Sequence, residues 1–202
     1  EVLEDEKVKK FVGKYTSDKS LLDTQNPVTF GPVALPSSYF NFKIDQEQAM
    51  REALGEYKKI GKAYGKISGR QGGCLEKYNL DDAQEAIVIL GSTAGTVKDT
   101  VDKLRSQDKQ VGLLKINLFR PFPRDEVRKA LRGVKKIAVL DRAFSFGTYA
   151  PLYSEIIATL RKKNIASYVY GIGGRDVFGK DIEKVFEDLA RGKVENTAQY
   201  II

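Results

Sequence analysis

The stretch from Ala86 to Leu104, AIVILGSTAGTVKDTVDKL, most constrains what this chain can fold into. Ile87-Val88-Ile89-Leu90 is apolar, rich in β-branched residues and too short for a helix, so it reads as a buried strand. Gly91-Ser92-Thr93-Ala94-Gly95 turns the chain. From there Ala94, Val97, Val101 and Leu104 keep the three-and-four spacing of one helix face. Strand, small-residue turn and amphipathic helix form the first half of a βαβ unit.

The pattern recurs three times. A second strand is expected over Val111–Phe119, followed by Arg120-Pro121-Phe122-Pro123 and a helix bearing Val127, Ala130 and Leu131. A third spans Lys136–Leu140 and ends at Asp141-Arg142, with a helix from about Pro151 that buries Tyr153, Ile156, Ile157 and Leu160. A fourth covers Ala166–Ile172, before Gly173-Gly174-Arg175-Asp176 and a helix with Ile182, Val185, Phe186 and Leu189. Such alternation predicts a three-layer α/β/α fold around a mostly parallel sheet. The tail from Val194 to Ile202 is expected to add a short strand or to stay mobile.

The first 80 residues read differently. Residues 1–25 are charged, with Val8, Phe11 and Val12 on one short helix face that ends at Gly13. Asn26–Phe42 holds Pro27, Pro32 and Pro36 and four aromatics without a charge. It predicts an extended strap, too apolar for a free linker and suited to lie on another domain's surface. A long helix is expected from Asp45, with Gln48 completing a capping-box variant, to about Ser68. Gly61 and Gly65 on it permit a close backbone approach, and GRQGG (69–73) ends it.

Composition removes whole classes of chemistry. The chain has no histidine, which excludes the usual general base and the Ser-His and Cys-His nucleophile arrangements. Ser145 therefore lacks an activating partner. Cys74 is the single cysteine, so no internal disulfide, zinc site or iron–sulfur cluster is available, and a metal-free cytoplasmic protein is expected. No apolar run approaches the length of a membrane-crossing helix. The net charge of +7 is spread among interspersed acids, as on a mixed solvated surface, and no nucleic-acid module is visible. The chain opens at Glu1 without an initiator methionine, which reads as a fragment or a processed chain.

Open α/β sheets bind ligands beyond the carboxyl ends of their strands. The expected ends deliver Ser92 and Thr93, Arg120, Asp141 and Arg142, and Gly173 to Asp176. Ser92, Thr93, Arg120, Arg142 and Arg175 therefore form a candidate rim for an anion or for a neighbouring domain, arginine being suited to carboxylate or phosphate. Asp141 and Asp176 could pair with these arginines or with a neighbouring domain. GSTAGT fits neither G-x-G-x-x-G nor the P-loop, and its plain reading is a tight turn with Ser92 or Thr93 capping the helix.

Five blocks, NPVTFGPVALPSSYF, AIVILGSTAGTVKDTVDKLR, VGLLKINLFRPFP, IAVLDRAFSFG and YGIGGRDV, occur in the order found in pyruvate:ferredoxin oxidoreductases, which the chain resembles from about Thr24 to Arg191. The resemblance implies the end of a pyrimidine-binding domain with strap and linker helix over 1–80. Over 81–202 it implies domain II, similar to the carboxyl-terminal domain of transketolase. It implies a role in oxidising a 2-oxoacid, pyruvate before others, with coenzyme A to an acyl-CoA, and ferredoxin or flavodoxin as electron acceptor. Thiamine diphosphate, magnesium and iron–sulfur clusters would belong to the full complex and none to this chain alone. Other domains or subunits would be its partners. The chain lacks the Gly-Asp-Gly…Asn diphosphate motif, so no catalytic residue is transferred, and the implied role is scaffold and interface. The alternative is an autonomous anion- or nucleotide-binding module built on the arginine rim.

Overall fold

The computed structural model describes residues 2–31, 33–70, 72–161, 164–193 and 197–202. The chain divides into two units, Glu1–Gly73 and Cys74–Ile202. Their junction falls ahead of the expected boundary after residue 80.

The first unit carries two helices. α1 (Asp5–Val12) stops at Gly13, whose φ of 76° suits glycine. α2 (Pro36–Ser68) is longer than the sequence implies. Asp45 does not begin it: the helix starts nine residues earlier at Pro36 and runs straight through Asp45 and Gln48. Proline at the first helical position has a suitable φ and lacks only an N–H that would have no partner there. Leu35 supplies the extended N-cap, and its carbonyl accepts from Ser38 and Tyr39 N–H, both at 2.9 Å. The expected strap is thereby shortened. Its second half, Pro36–Phe42, is helical, and Pro32 lies outside the described residues. The close approach expected at the helical glycines is present. A Cβ on Gly61 would collide with the Gly72 carbonyl, and one on Gly65 would lie 3.1 Å from the Arg70 carbonyl. No helix of the described residues is long and apolar enough to cross a membrane.

The second unit holds β1 (Leu75–Tyr78), β2 (Glu85–Leu90), α3 (Ala94–Arg105), β3 (Val111–Ile116), α4 (Arg124–Ala130), β4 (Lys136–Asp141), α5 (Pro151–Leu160), β5 (Ile165–Val169), α6 (Gly179–Ala190) and β6 (Gln199–Tyr200). The sheet order is β1-β3-β2-β4-β5-β6, parallel except for β1, which pairs antiparallel with β3. The four strand–helix passes expected from the sequence are present as a mostly parallel α/β sheet. β1 was not expected; its pairing with β3 is what draws the unit's start back to Cys74. The tail contributes β6, parallel to β5, while Val194–Asn196 lie outside the described residues.

Register explains the layers. Leu113, Ile87, Ala138 and Ala166 are paired neighbours across β3, β2, β4 and β5. They pack with α3 and α6 residues such as Val97, Val101, Ile182 and Leu189. One residue along, Leu114, Val88 and Val139 turn to the other face and pack with Val127 of α4 and Leu152 and Ile156 of α5. Strand side chains alternate, so nearly continuous apolar runs serve both faces of a covered sheet. Ala94, Val97, Val101 and Leu104, the face expected of α3, are all buried. α5 differs: Leu152, Tyr153, Ile156 and Thr159 are buried, while Ile157 and Leu160 are only half-buried.

Two expected strands are shorter than the sequence implies. β3 ends at Ile116; Asn117 N–H still donates to the Cys74 carbonyl at 2.9 Å in the β1–β3 register, and Leu118 N–H shares that acceptor at 3.1 Å. β5 ends at Val169 because Gly171, at φ 62°, turns the chain away.

Candidate functional site

β2 and β4 are neighbours, but their connections leave in opposite directions. From β2 the chain passes through α3 to β3, and from β4 through α5 to β5. The carboxyl ends of β2 and β4 are therefore a topological switch point, where an open α/β sheet offers its crevice. Gly91, at φ 80°, makes the turn after β2. Thr93 occupies the N-cap of α3, but no side chain caps that helix. The Thr93 side chain lies near Tyr170, the first residue beyond β5. Burial pushes the Tyr170 phenol up, opposed by the Thr93 side chain and by the Arg142 charge, while Asp141 adds to the rise. Ser92 stands exposed in the turn, its carbonyl accepting from Gly95 N–H at 3.0 Å.

The rim arginines separate into two places. Arg142 Nε donates to the Gly171 carbonyl at 2.9 Å. A Cβ on Gly171 would lie 3.2 Å from Arg142 Nε and 3.5 Å from the Arg175 carbonyl, so the segments bearing Arg142 and Arg175 meet at this glycine. Arg120 is elsewhere. Its Nη2 donates to Glu155 of α5 at 2.9 Å, its guanidinium lies 4.2 Å from the Phe119 ring centroid, and Arg124 approaches the same carboxylate at 3.6 Å. Thr93, Arg142 and Arg175 thus cluster around Tyr170 and Gly171, with Arg120 tied to the α4–α5 side.

Asp141 does not pair with an arginine. It is buried, and its Oδ1 and Oδ2 accept from Leu152 N–H at 2.8 Å and Tyr153 N–H at 3.0 Å. These are the second and third residues of α5, whose own N-cap, Ala150, has no side chain to offer. A strand residue therefore caps a helix across the intervening loop. Burial is the stronger influence on this carboxyl and holds it above the usual carboxylate range, against the pull of the two N–H donors. The folded state consequently holds the Asp141 proton more tightly than the unfolded chain. Its titration contributes stability fully below the unfolded pKa, and that contribution is lost as pH rises through the folded one. The stability of the chain relative to Asp141→Asn should therefore fall, in urea titrations, as pH rises from below the ordinary aspartate pKa of about 3.9 through the raised folded value. A difference that does not change with pH contradicts this environment for Asp141.

The loop from Arg142 to Ala150 builds a feature that the sequence reading missed. Phe144, Phe146, Tyr149, Val169 and Tyr200 line an open hollow of about 570 Å³, together with the polar Ser145, Thr148 and Thr197. A second hollow of about 290 Å³ shares Phe144, Val169 and Tyr200 and reaches Tyr170, Gly171 and Arg175. Phe144 stacks on Phe146 at 5.7 Å and meets Tyr200 at 5.9 Å. The signal was present in FSFGTY, three aromatics within an irregular connection, but its partner Tyr200 lies far along the chain. Chemically, the rim offers aromatic surface, hydroxyls and arginine donors. The chain has no histidine, and Asp141 is committed to α5.

Comparison with known proteins gives this arrangement a class. Residues 83–182 match the family model for pyruvate:ferredoxin oxidoreductase core domain II, so the second unit is a domain of that kind. The pyruvate synthase subunit PorA of Thermotoga maritima is 43% identical over 194 residues, 94% of this chain and 50% of that subunit. The ketoisovalerate oxidoreductase subunit VorA of Pyrococcus abyssi is 36% identical over 190 residues, 90% of this chain and 48% of the other. The chain belongs to the 2-oxoacid:ferredoxin oxidoreductase family. It spans about half the length of the curated relatives it matches. A solved structure of similar fold, with TM-score 0.60 and 18% identity, covers 84% of this chain and 28% of the other. It is a 2-oxoglutarate:ferredoxin oxidoreductase from Magnetococcus marinus with 2-oxoglutarate, coenzyme A and succinyl-CoA bound.

The residues present do not fit the metal groups of such an enzyme. Iron–sulfur clusters are held by sets of thiolates, and Cys74 is single and buried. Among the described residues no group of three or more His, Cys, Asp or Glu side chains could hold a metal ion.

Proposed function

We propose that this chain is the domain II part of an alpha-type subunit in a 2-oxoacid:ferredoxin oxidoreductase, with pyruvate the favoured substrate of the whole enzyme. That enzyme would oxidise the 2-oxoacid with coenzyme A to an acyl-CoA, release carbon dioxide and pass electrons to ferredoxin or flavodoxin. Thiamine diphosphate, magnesium and iron–sulfur clusters would be held by its other domains and subunits. The first unit would be the end of the pyrimidine-binding domain with its linker helix. The carrying observation is the similarity to PorA along 94% of the chain.

In this reading the chain positions neighbours and leaves the chemistry to them. Asp141 fixes the start of α5 and with it the loop that presents Phe144 and Tyr149. Arg120, Arg124 and Glu155 brace the opposite corner of the rim.

The test is purification of the intact subunit that contains this sequence, tagged, from its own cells. Companion subunits carrying iron–sulfur clusters are expected in stoichiometric amount. A subunit that emerges alone and colourless under gentle conditions contradicts the proposal.

A further inference from the structure

Two features of the carboxyl rim stand open among the described residues. Phe146 is 88% exposed and Tyr200 60% exposed, yet both stand against Phe144 as one aromatic face. Beside that face, Arg142 and Arg175 approach the same turn at Gly171, and neither side chain has a carboxylate partner among the described residues. Several other arginines of this unit do meet a carboxylate: Arg105 meets Asp82 at 2.6 Å, and Arg120 and Arg124 share Glu155. Asp141, next in sequence to Arg142, is fully engaged by α5. The rim thus combines an outward aromatic surface with two arginines that meet no carboxylate at ion-pair distance among the described residues.

We propose that this rim is the seat of another subunit, one that presents carboxylate side chains to Arg142 and Arg175 and an apolar segment to the Phe144–Tyr200 cleft. The inference rests on the interface role proposed above and assigns it a place. Charge complementarity selects the acidic partner, since Asp141 is engaged by α5 and neither arginine meets a carboxylate at ion-pair distance among the described residues, the neighbouring Asp176 included. The openness of the face selects a polypeptide. Phe146 projects outward and would extend a partner's contact surface, whereas a small-molecule site encloses most of its ligand. Exposed apolar patches mark association surfaces, and aromatic residues with arginine are the side chains that anchor them.

Arg175 and Phe146 are the positions to test, because both are exposed and neither supports the core. In the intact complex, Arg175→Lys keeps the charge and adds an amine that a carbodiimide can join to an adjacent carboxylate, forming an amide with net loss of water. Mass spectrometry should find the substituted residue bonded to an Asp or Glu of another subunit. Arg175→Glu and Phe146→Ser should each weaken subunit association by about tenfold or more, the charge reversal most strongly at low salt. Cross-links confined to the chain's own subunit, or association unchanged within about twofold in both variants, would overturn the inference. In either case the complex still forms, which distinguishes this failure from that of the proposed function, where no companion subunit binds at all.

Discussion

Gly112→Val is expected to cost the chain about 3 kcal/mol or more of stability. Gly112 is buried in β3, and a Cβ there would lie 2.5 Å from the Asn79 carbonyl oxygen and 3.0 Å from the Ala83 Cβ. The obstacle is backbone and cannot rotate away. It is also held from outside, because Arg105 Nη2 donates to the same Asn79 carbonyl at 2.7 Å and its Nε to Val111 at 2.8 Å. Relief would require the β1–β2 connection to lift off the sheet, with loss of the β1–β3 pairing. Urea unfolding followed by circular dichroism measures the effect. A loss under about 1 kcal/mol would mean that the connection is not seated as described.

The second large effect belongs to Asp141→Ala, expected to cost about 2–4 kcal/mol. The substitution leaves the Leu152 and Tyr153 N–H groups without their acceptor in a buried setting. Each unsatisfied buried donor costs about 1–3 kcal/mol. Asp141→Asn keeps one acceptor oxygen and should recover part of the loss. The loop from Arg142 to Ala150 should also become the first site of proteolytic cleavage in the alanine variant, since its far end is no longer fastened. Equal stability of the two variants would show that the carboxylate does not cap α5.

Both positions show what local pattern can and cannot reveal. Periodicity identified α3 and its buried face because Val97, Val101 and Leu104 alternate with Lys98, Asp99, Asp102 and Lys103. On α5 it found Tyr153 and Ile156, which are buried, and Ile157 and Leu160, which pack half-buried against the core, but not Leu152 and Thr159, because PLYSEIIATL is apolar on several sides and fixes no phase. The start of α2 was misplaced because proline was read as opposing a helix when it stood at the first position, where it favours one. β1 was missed because four residues, LEKY, carry too little pattern to stand out from a loop.

The candidate rim was legible only in part, for a topological reason. Strand ends could be listed from the sequence, but the sheet order could not. In the fold β3 lies beyond β2, so the Arg120 segment departs from the Arg142 and Arg175 segments, which follow the adjacent strands β4 and β5. The helix-capping role of Asp141 was hidden for a similar reason, since its partners lie 11 and 12 residues away. Family membership was the most legible property of all. Five sequence blocks in order carried it, where charge and composition could only exclude chemistry.

Under the function proposed above, this chain is a non-catalytic domain of a 2-oxoacid:ferredoxin oxidoreductase. The most direct measurement is 2-oxoacid- and coenzyme A-dependent reduction of ferredoxin, run in parallel on the purified complex containing the intact subunit and on the chain alone. Turnover is expected from the complex, fastest with pyruvate among the 2-oxoacids, and none from the chain. Turnover by the chain alone, or a complex that reduces ferredoxin with no 2-oxoacid tested, would contradict it.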